Sequence, residues 1–316
     1  MPIGISLGDP AGIGPEIVAR ALAARPELNL RIYGDREVLT RAARQAGVPT
    51  PAPDVIWPVT SLAADAVTPG QPNDVSARAQ LAYLTAATDA ALAGEISALV
   101  TAPISKEWMA RAGFAFPGHT EYLASRAGVT EFAMMLAGPS LRVTVATTHI
   151  ALRDLHQLLT PEKIATAITL TARALRDAYG IARPRVAVAG LNPHAGEGGR
   201  FGDEEARLVS PGIALATARL RTAHVDADVT GPHVPDAVFR QAAMGRFDAV
   251  IALYHDQGLI PVKLLHFDEA VNVTLGLPFV RTSPDHGTAY DIAGTGQARP
   301  DSFLAALDLA SRLTNH

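Results

Sequence analysis

The chain is 316 residues long, 48% hydrophobic but only 5% aromatic, with a formal net charge of −4. That length suits one large or two ordinary α/β domains with a substantial core, and without a basic stripe carrying interleaved aromatics nucleic acid is not an expected partner. Cysteine is absent, which excludes disulfides, thiol nucleophiles and Cys-ligated zinc and leaves His, Asp and Glu to hold any metal.

Short apolar runs of β type alternate along the chain with longer Ala- and Leu-rich runs. Residues 3–7 read as a strand rather than a signal peptide, because a basic n-region and a long apolar stretch are missing. Residues 14–24 read as a helix with Pro15 in its first turn, and 30–33 and 36–46 repeat the strand–helix pair. Residues 48–58 and 62–72, rich in proline, read as surface connections. A long helix is expected at 75–93 and a buried strand at 98–101. Then come a strand ending at His149, a helix over 162–179, and a strand over 185–190. A helix at 204–220, another at 237–244, a strand at 249–254 and a last helix at 302–314 complete the pattern. Strands alternating with helices mean βαβ units and a mostly parallel sheet. With no apolar run of about 18 residues to cross a membrane, a soluble cytoplasmic protein is expected.

Three histidines arrive near the ends of expected strands: His149, His194 and His255. Open parallel α/β sheets bind ligands outside the carboxyl ends of their strands, and three imidazoles can hold a transition metal with a position left for substrate. One such histidine alone would more often just close a loop; three in equivalent places favour a metal. Gly8-Asp-Pro-Ala-Gly-Ile-Gly-Pro-Glu16 joins the first strand to the first helix. It lacks the third glycine of a dinucleotide fingerprint and the Lys-Ser/Thr of a P-loop, so a tight turn is as good a reading as an anion cradle. Thr101-Ala-Pro-Ile-Ser-Lys106 follows the next buried strand, and Lys106 either faces a ligand or is a solvated first-turn residue. In Gly118-His119-Thr120-Glu121, Thr120 is a candidate helix N-cap, and His119 and Thr120 are candidates to grip a phosphate. Lys263 and Arg281 would suit a phosphorylated or carboxylated substrate. The run from Asp285 to Gly296 is rich in Gly and small polar residues and leaves its backbone open to a planar ligand.

These segments, together with Gly231-Pro-His-Val-Pro-Asp236 and the long run from Val271 to Thr288, resemble the PdxA family of 4-hydroxythreonine-4-phosphate dehydrogenases, in the same order over nearly the whole chain. The 285–296 run is also similar to the cofactor loop of isopropylmalate and isocitrate dehydrogenases. The resemblance implies their two-lobed α/β/α fold, with the active site in the interlobe cleft. One discontinuous lobe would span 1–125 plus 277–316, and a second, carrying the histidines, 126–276. It implies metal ligation by His149, His194 and His255, with His255 supplied by the partner of the subunit giving the other two in a homodimer with shared active sites. It implies substrate contacts from His119, Thr120, Lys263, Asn272 and Arg281. The cofactor loop maps onto His286, Gly287, Thr288, Ala289 and Asp291. The implied reaction is NAD-dependent oxidation of 4-phosphooxy-L-threonine at C3 followed by loss of carbon dioxide, in pyridoxal 5'-phosphate biosynthesis. Imidazole donors favour zinc, cobalt or nickel over magnesium. Asp236 and Asp256 are candidates to orient ligand histidines or relay a proton, and no general base follows from the sequence. Competing readings are a dehydrogenase of threonate or erythronate 4-phosphate or of a cis-dihydrodiol, and, in another class, a phosphate acyltransferase or a metal hydrolase on this fold.

Overall fold

A computed structural model describes residues 1–63 and 65–314. Position 64 of the expected 62–72 connection and the last two positions of the expected first lobe lie outside the described residues. In chain order the elements are β1 (Ile3–Ser6), α1 (Gly14–Ala24), β2 (Leu30–Gly34), α2 (Arg36–Ala46), β3 (Ile56–Pro58), α3 (Asp74–Leu92), β4 (Ala98–Thr101), α4 (Lys106–Arg111) and α5 (His119–Arg126). There follow β5 (Ala133–Ala137), β6 (Arg142–Val145), α6 (Leu155–Leu158), α7 (Pro161–Asp177), β7 (Arg185–Ala189), α8 (Ser210–Thr222), β8 (Asp228–His233) and α9 (Pro235–Ala243). Then come β9 (Ala249–Ala252), α10 (His255–His266), β10 (Val271–Leu275), β11 (Val280–Pro284) and α11 (Asp301–Thr314). By contacts the chain divides into two compact units, the first Met1–Val129 with the segment from Leu277 onward, the second Thr130–Gly276.

In unit 1 the strands lie in the order β3-β2-β1-β4-β11 and every neighbouring pair is parallel. β1 and β4 are buried along their whole length, the mark of parallel strands covered by helices on both faces. Parallel pairing brings the loops after β1, β4 and β11 to the same edge. α1 starts with Pro15 in its first turn and α2 closes on Gly47 with φ 68°, the helix-start proline and helix-stop glycine that physical chemistry favours. Asn73 and Ser76 form a reciprocal capping box that starts α3.

Unit 2 has the order β10-β5-β6-β9-β7-β8. Here β5 is antiparallel to both β10 and β6, and β6, β9, β7 and β8 run parallel. The segments that follow β6, β9 and β7, which carry the three histidines, therefore leave the sheet from one edge. The side of that sheet facing α7 and α8 packs around Ile164, Ile168, Leu175, Val186, Val188 and Ile251.

Several sequence expectations need correction. Residues 48–58 are not all connection: Ile56–Pro58 pairs with β2 as an edge strand, where proline is tolerated because no partner needs its missing donor. The 204–220 helix opens as a π turn over Glu205–Val209 before α8 begins. The histidine strands are shorter than expected, ending at Val145, Ala189 and Ala252. His255 is thus the first residue of a helix. That helix was hidden because Gly258 and Pro261 lie inside it, two residues that normally argue against helix.

Candidate functional site

Unit 1 gathers an anion-seeking group. Arg281 is the second residue of β11 and is only 2% exposed. Its Nη2 donates to Thr101 Oγ1 at the end of β4 over 2.7 Å. Burial pushes the guanidinium down to about 10, with Glu121 acting the other way, so it remains a cation at neutral pH. α5 starts at His119 with Gly118 as its N-cap and no capping side chain. Thr120 is therefore inside the helix and not its cap, a correction: glycine, also an accepted N-cap, takes that place. His119 is half-buried, its Nε2 is shielded from solvent, and that atom has no hydrogen-bond partner. Burial first, then Arg281 and Lys106, hold its imidazole well below the usual value. Lys106 opens α4 and is exposed, but it turns toward the same place: a Cβ added to Gly118 would lie 3.8 Å from its Nζ. A neutral imidazole, a buried guanidinium, an ammonium and the amides of a helix start converge here, where negative charge is favoured.

After β11 the chain runs through Asp285 to Gly296 beside this group. His286, Gly287 and Asp291 are exposed, Thr288 and Ala289 partly so. Ala289 is held at φ 42°. A Cβ on Gly287 would meet nothing within 4 Å, so the backbone there is open to an approaching ligand.

In unit 2 the histidine loops differ from one another. His149 is exposed, and its ring centroid lies 5.5 Å from that of His255. His255 Nδ1 is 2.7 Å from Asp256 Oδ1, which fixes the ring and leaves Nε2 outward. His194 sits in a turn whose residues 194–198 all have positive φ, with His194 at 53°, Ala195 at 52° and Glu197 at 43°. Each non-glycine residue in that region costs on the order of 1 kcal/mol, so something must hold the turn. Buried Glu205 does: Oε1 accepts from the Leu191 amide at 2.8 Å and the Asn192 amide at 2.7 Å, and Oε2 from Asn192 Nδ2 at 3.0 Å. Gln257 ties the neighbouring loop in, donating to Gly190 O at 2.8 Å and accepting from the Leu253 amide at 2.7 Å. Neither Glu205 nor Gln257 was singled out from the sequence. Gln257 lies two residues after His255 in Tyr254-His-Asp-Gln-Gly258, and its two-faced amide is the signal that could have found it. Glu205 had none.

His194, Asp236 and Asp256 border one groove of about 1040 Å³, walled by Phe239, Ile260 and Leu264. Lys263 and Asn272 lie elsewhere. α10 runs back from the histidine edge until His266 meets Ser140 Oγ at 2.8 Å, and Lys263 is near that far end. Asn272 is level with Leu136, and through it with Val143 near the start of β6; its Oδ1 is shielded and has no hydrogen-bond partner. Among the described residues, no three His, Cys, Asp or Glu side chains of this one chain are grouped to hold a metal, and no helix is long and apolar enough to cross a membrane.

A family model described as pyridoxal phosphate biosynthetic protein PdxA matches residues 15–310. The chain belongs to the PdxA family. It is an oxidoreductase of pyridoxal phosphate biosynthesis. The 4-hydroxythreonine-4-phosphate dehydrogenase of Desulfosudis oleivorans is 52% identical, the match covering 98% of this chain and 94% of that one. The crystal structure of the Klebsiella pneumoniae enzyme of the same name superposes with a TM-score of 0.87 at 41% identity, covering 99% of each chain. A terephthalate 1,2-cis-dihydrodiol dehydrogenase from Burkholderia xenovorans LB400 is more distant, with a TM-score of 0.71 at 33% identity over 99% of this chain and 98% of that one. PdxA membership accounts for the α/β architecture and for the order of the motifs along the chain.

Proposed function

We propose that the chain oxidises 4-phosphooxy-L-threonine at its C3 hydroxyl with NAD, in a reaction that depends on a divalent metal. The first product, 2-amino-3-oxo-4-phosphooxybutanoate, loses carbon dioxide and takes up a proton to give 3-amino-2-oxopropyl phosphate. The observation that carries this reading is the buried Arg281 beside the shielded, unpartnered His119 Nε2. A cation kept in the fold at that cost suits a doubly charged phosphate, which a guanidinium and a helix start can hold together. Arg281, His119 and Thr120 take the phosphate; Lys263 and Asn272 serve the rest of the substrate. His286 to Ala289 and Asp291 would hold NAD, which when bound supplies the hydride acceptor.

His149, His194 and His255 are the metal donors in this reading. Neutral imidazoles suit zinc, cobalt or nickel, and the Asp256 contact leaves a nitrogen of His255 available. A bound divalent ion would lower the pKa of the C3 hydroxyl and stabilise the charge left by decarboxylation. Asp256 orients His255, and Asp236, which borders the same groove as His194, moves a proton in this reading.

Among the described residues His149 and His255 come together within one chain, and α10, which His255 opens, carries exposed apolar side chains along its length. Ile260 is 64% exposed, Leu264 83% and Phe267 75%. Contiguous apolar surface of this kind marks an interface. A second copy of the chain docks there and completes the site.

The deciding assay follows NADH formation from 4-phosphooxy-L-threonine with and without a chelator. Metal-dependent NADH is expected. Full activity after metal removal would sink the metal assignment, and faster turnover of erythronate or threonate 4-phosphate would move the substrate to that rival. Acyl phosphate made from an acyl thioester without NAD would place the chain in the transferase class.

A further inference from the structure

The first Gly-rich loop has no part in the function derived so far. Every residue from Ile3 to Ala19 is buried, so the amides of Gly8–Gly14 are covered by protein and not offered to a ligand. Pro103 and Ala102 cover Gly8, and the 285–296 loop covers Gly12 and Ile13. Ile13 N donates to Thr288 O at 2.9 Å, and a Cβ on Gly12 would lie 2.9 Å from that same oxygen. Only glycine permits so close an approach. Further along, Arg20 Nη2 donates to Gly296 O at 2.7 Å and Glu16 Oε1 accepts from the Ala298 amide at 3.2 Å.

The centre of this junction is Asp9, which is fully buried. Its Oδ1 accepts from the Ala11 amide at 2.8 Å. Its Oδ2 accepts from Gln80 Nε2 at 3.1 Å and from the Tyr290 hydroxyl at 2.6 Å. Gln80, also fully buried, accepts with Oε1 from the Ser105 amide at 2.8 Å, one residue before Lys106. The loops after β1, β4 and β11 therefore meet on one carboxylate, two directly and one through Gln80. Apolar side chains would fill such a space at lower cost. What a carboxylate adds is direction, because it fixes several donors at set angles.

We propose that Asp9 is a positioning residue for the cofactor: acting through Tyr290, it sets the conformation of the 285–296 loop that holds NAD, and the first Gly-rich loop is a brace, not a ligand cradle. The inference rests on the assignment of that loop to NAD made above.

Tyr290→Phe removes one hydroxyl and keeps the ring. The NADH dissociation constant should rise about tenfold, the scale of one hydrogen bond to a charged group. Hydrogen exchange of amides over residues 286–292 should speed up, while kcat at saturating NAD and substrate affinity change by less than about twofold. Asp9→Asn should show the same split; if it does not fold, Tyr290→Phe carries the test alone. Gly287→Val, placed where a Cβ meets open space, is the control on the loop itself. If Gly287→Val leaves NADH affinity unchanged, the loop is not the cofactor site and the proposal falls with that assignment. If Gly287→Val weakens NADH and Tyr290→Phe does not, the assignment stands and the brace is overturned. Parallel losses of NADH affinity, kcat and substrate affinity in Tyr290→Phe would mean a merely structural contact and overturn it too.

Discussion

The anion group of unit 1 and the histidines of unit 2 differ in how much of their surroundings the chain itself supplies. Arg281 is 2% exposed and bonded to a fully buried Thr101. The desolvation of that guanidinium is met by the fold before any ligand arrives, which is what preorganisation means in energetic terms. His149, His194 and Asp256 are exposed, and the surface next to them is apolar, with Leu264 at 83% exposure. One group is finished within a single chain. The other is held in place from below, by Glu205 and Gln257, but left uncovered from above. The histidine group is the one that a second copy, as proposed above, would have to complete.

The sharpest way to break that contrast is to remove the histidines one at a time and mix the products. Each of His149→Ala, His194→Ala and His255→Ala should lose more than about tenfold in activity and in metal content measured by elemental analysis, the scale set by loss of metal support or worse. If His255 comes from the partner of the chain giving His149 and His194, mixing His149→Ala with His255→Ala should restore at most about half of wild-type activity, as two-fold pairing requires. If His149 and His255 act together from one chain, as their 5.5 Å separation suits, that mixture stays inactive and His149→Ala with His194→Ala recovers instead. No recovery in any pairing, with subunit exchange demonstrated, would mean that each site is complete in one chain. Leu264→Glu addresses the cover directly. It should weaken self-association by at least about a hundredfold, since burying an unpaired carboxylate costs several kcal/mol. Sedimentation showing an unaltered dimer would remove α10 from the interface. In unit 1, Arg281→Met should lower kcat/KM for the phosphorylated substrate by about 10- to 100-fold, one charged hydrogen-bonding partner's worth. A dephosphorylated analogue should suffer far less. Equal losses on both would point to a general disturbance of β11.

The same contrast explains what could be seen in the sequence. α1 and α2 coincide with their sequence-based bounds, because Pro15 and Gly47 punctuate them. The family and the α/β class were legible too, because long motifs recur in order. β3 was obscured by proline and α10 by Gly258 and Pro261, local signals that tertiary packing overrode. The left-handed turn at His194 could not be read at all. It depends on a carboxylate eleven residues later, Glu205, reaching back to the Leu191 and Asn192 amides, and nothing in the composition of residues 194–198 requires it. The motifs named the candidate residues; how far the chain encloses each of them is a property of the packed structure alone.

The smallest effect sharpens the unit 1 side. His119 is held well below the usual imidazole value, by burial first and then by Arg281 and Lys106. In the unfolded chain it binds a proton near about 6.5. Below that pH the unfolded state therefore holds more protons than the folded one, and stability falls as pH falls; above it, the full contribution is present. His233 is shifted the same way by burial and by Arg246, so the wild-type curve alone cannot isolate His119. The difference between wild type and His119→Gln can, because glutamine fills a similar space without titrating. Urea midpoints taken from roughly pH 7 down to pH 5 should fall less steeply for the variant, by the share of one proton in the linkage slope. Parallel curves would mean that His119 is not buried neutral. A bound phosphate analogue should reverse the sign of the local field, because its negative charge favours the imidazolium. Binding near neutral pH should then take up a proton, seen as a calorimetric heat that varies with the ionisation enthalpy of the buffer. Heats that do not vary with buffer, under conditions where the analogue itself does not titrate, would mean that His119 does not face the anion, and would leave Arg281 to hold it with Lys106 and the start of α5.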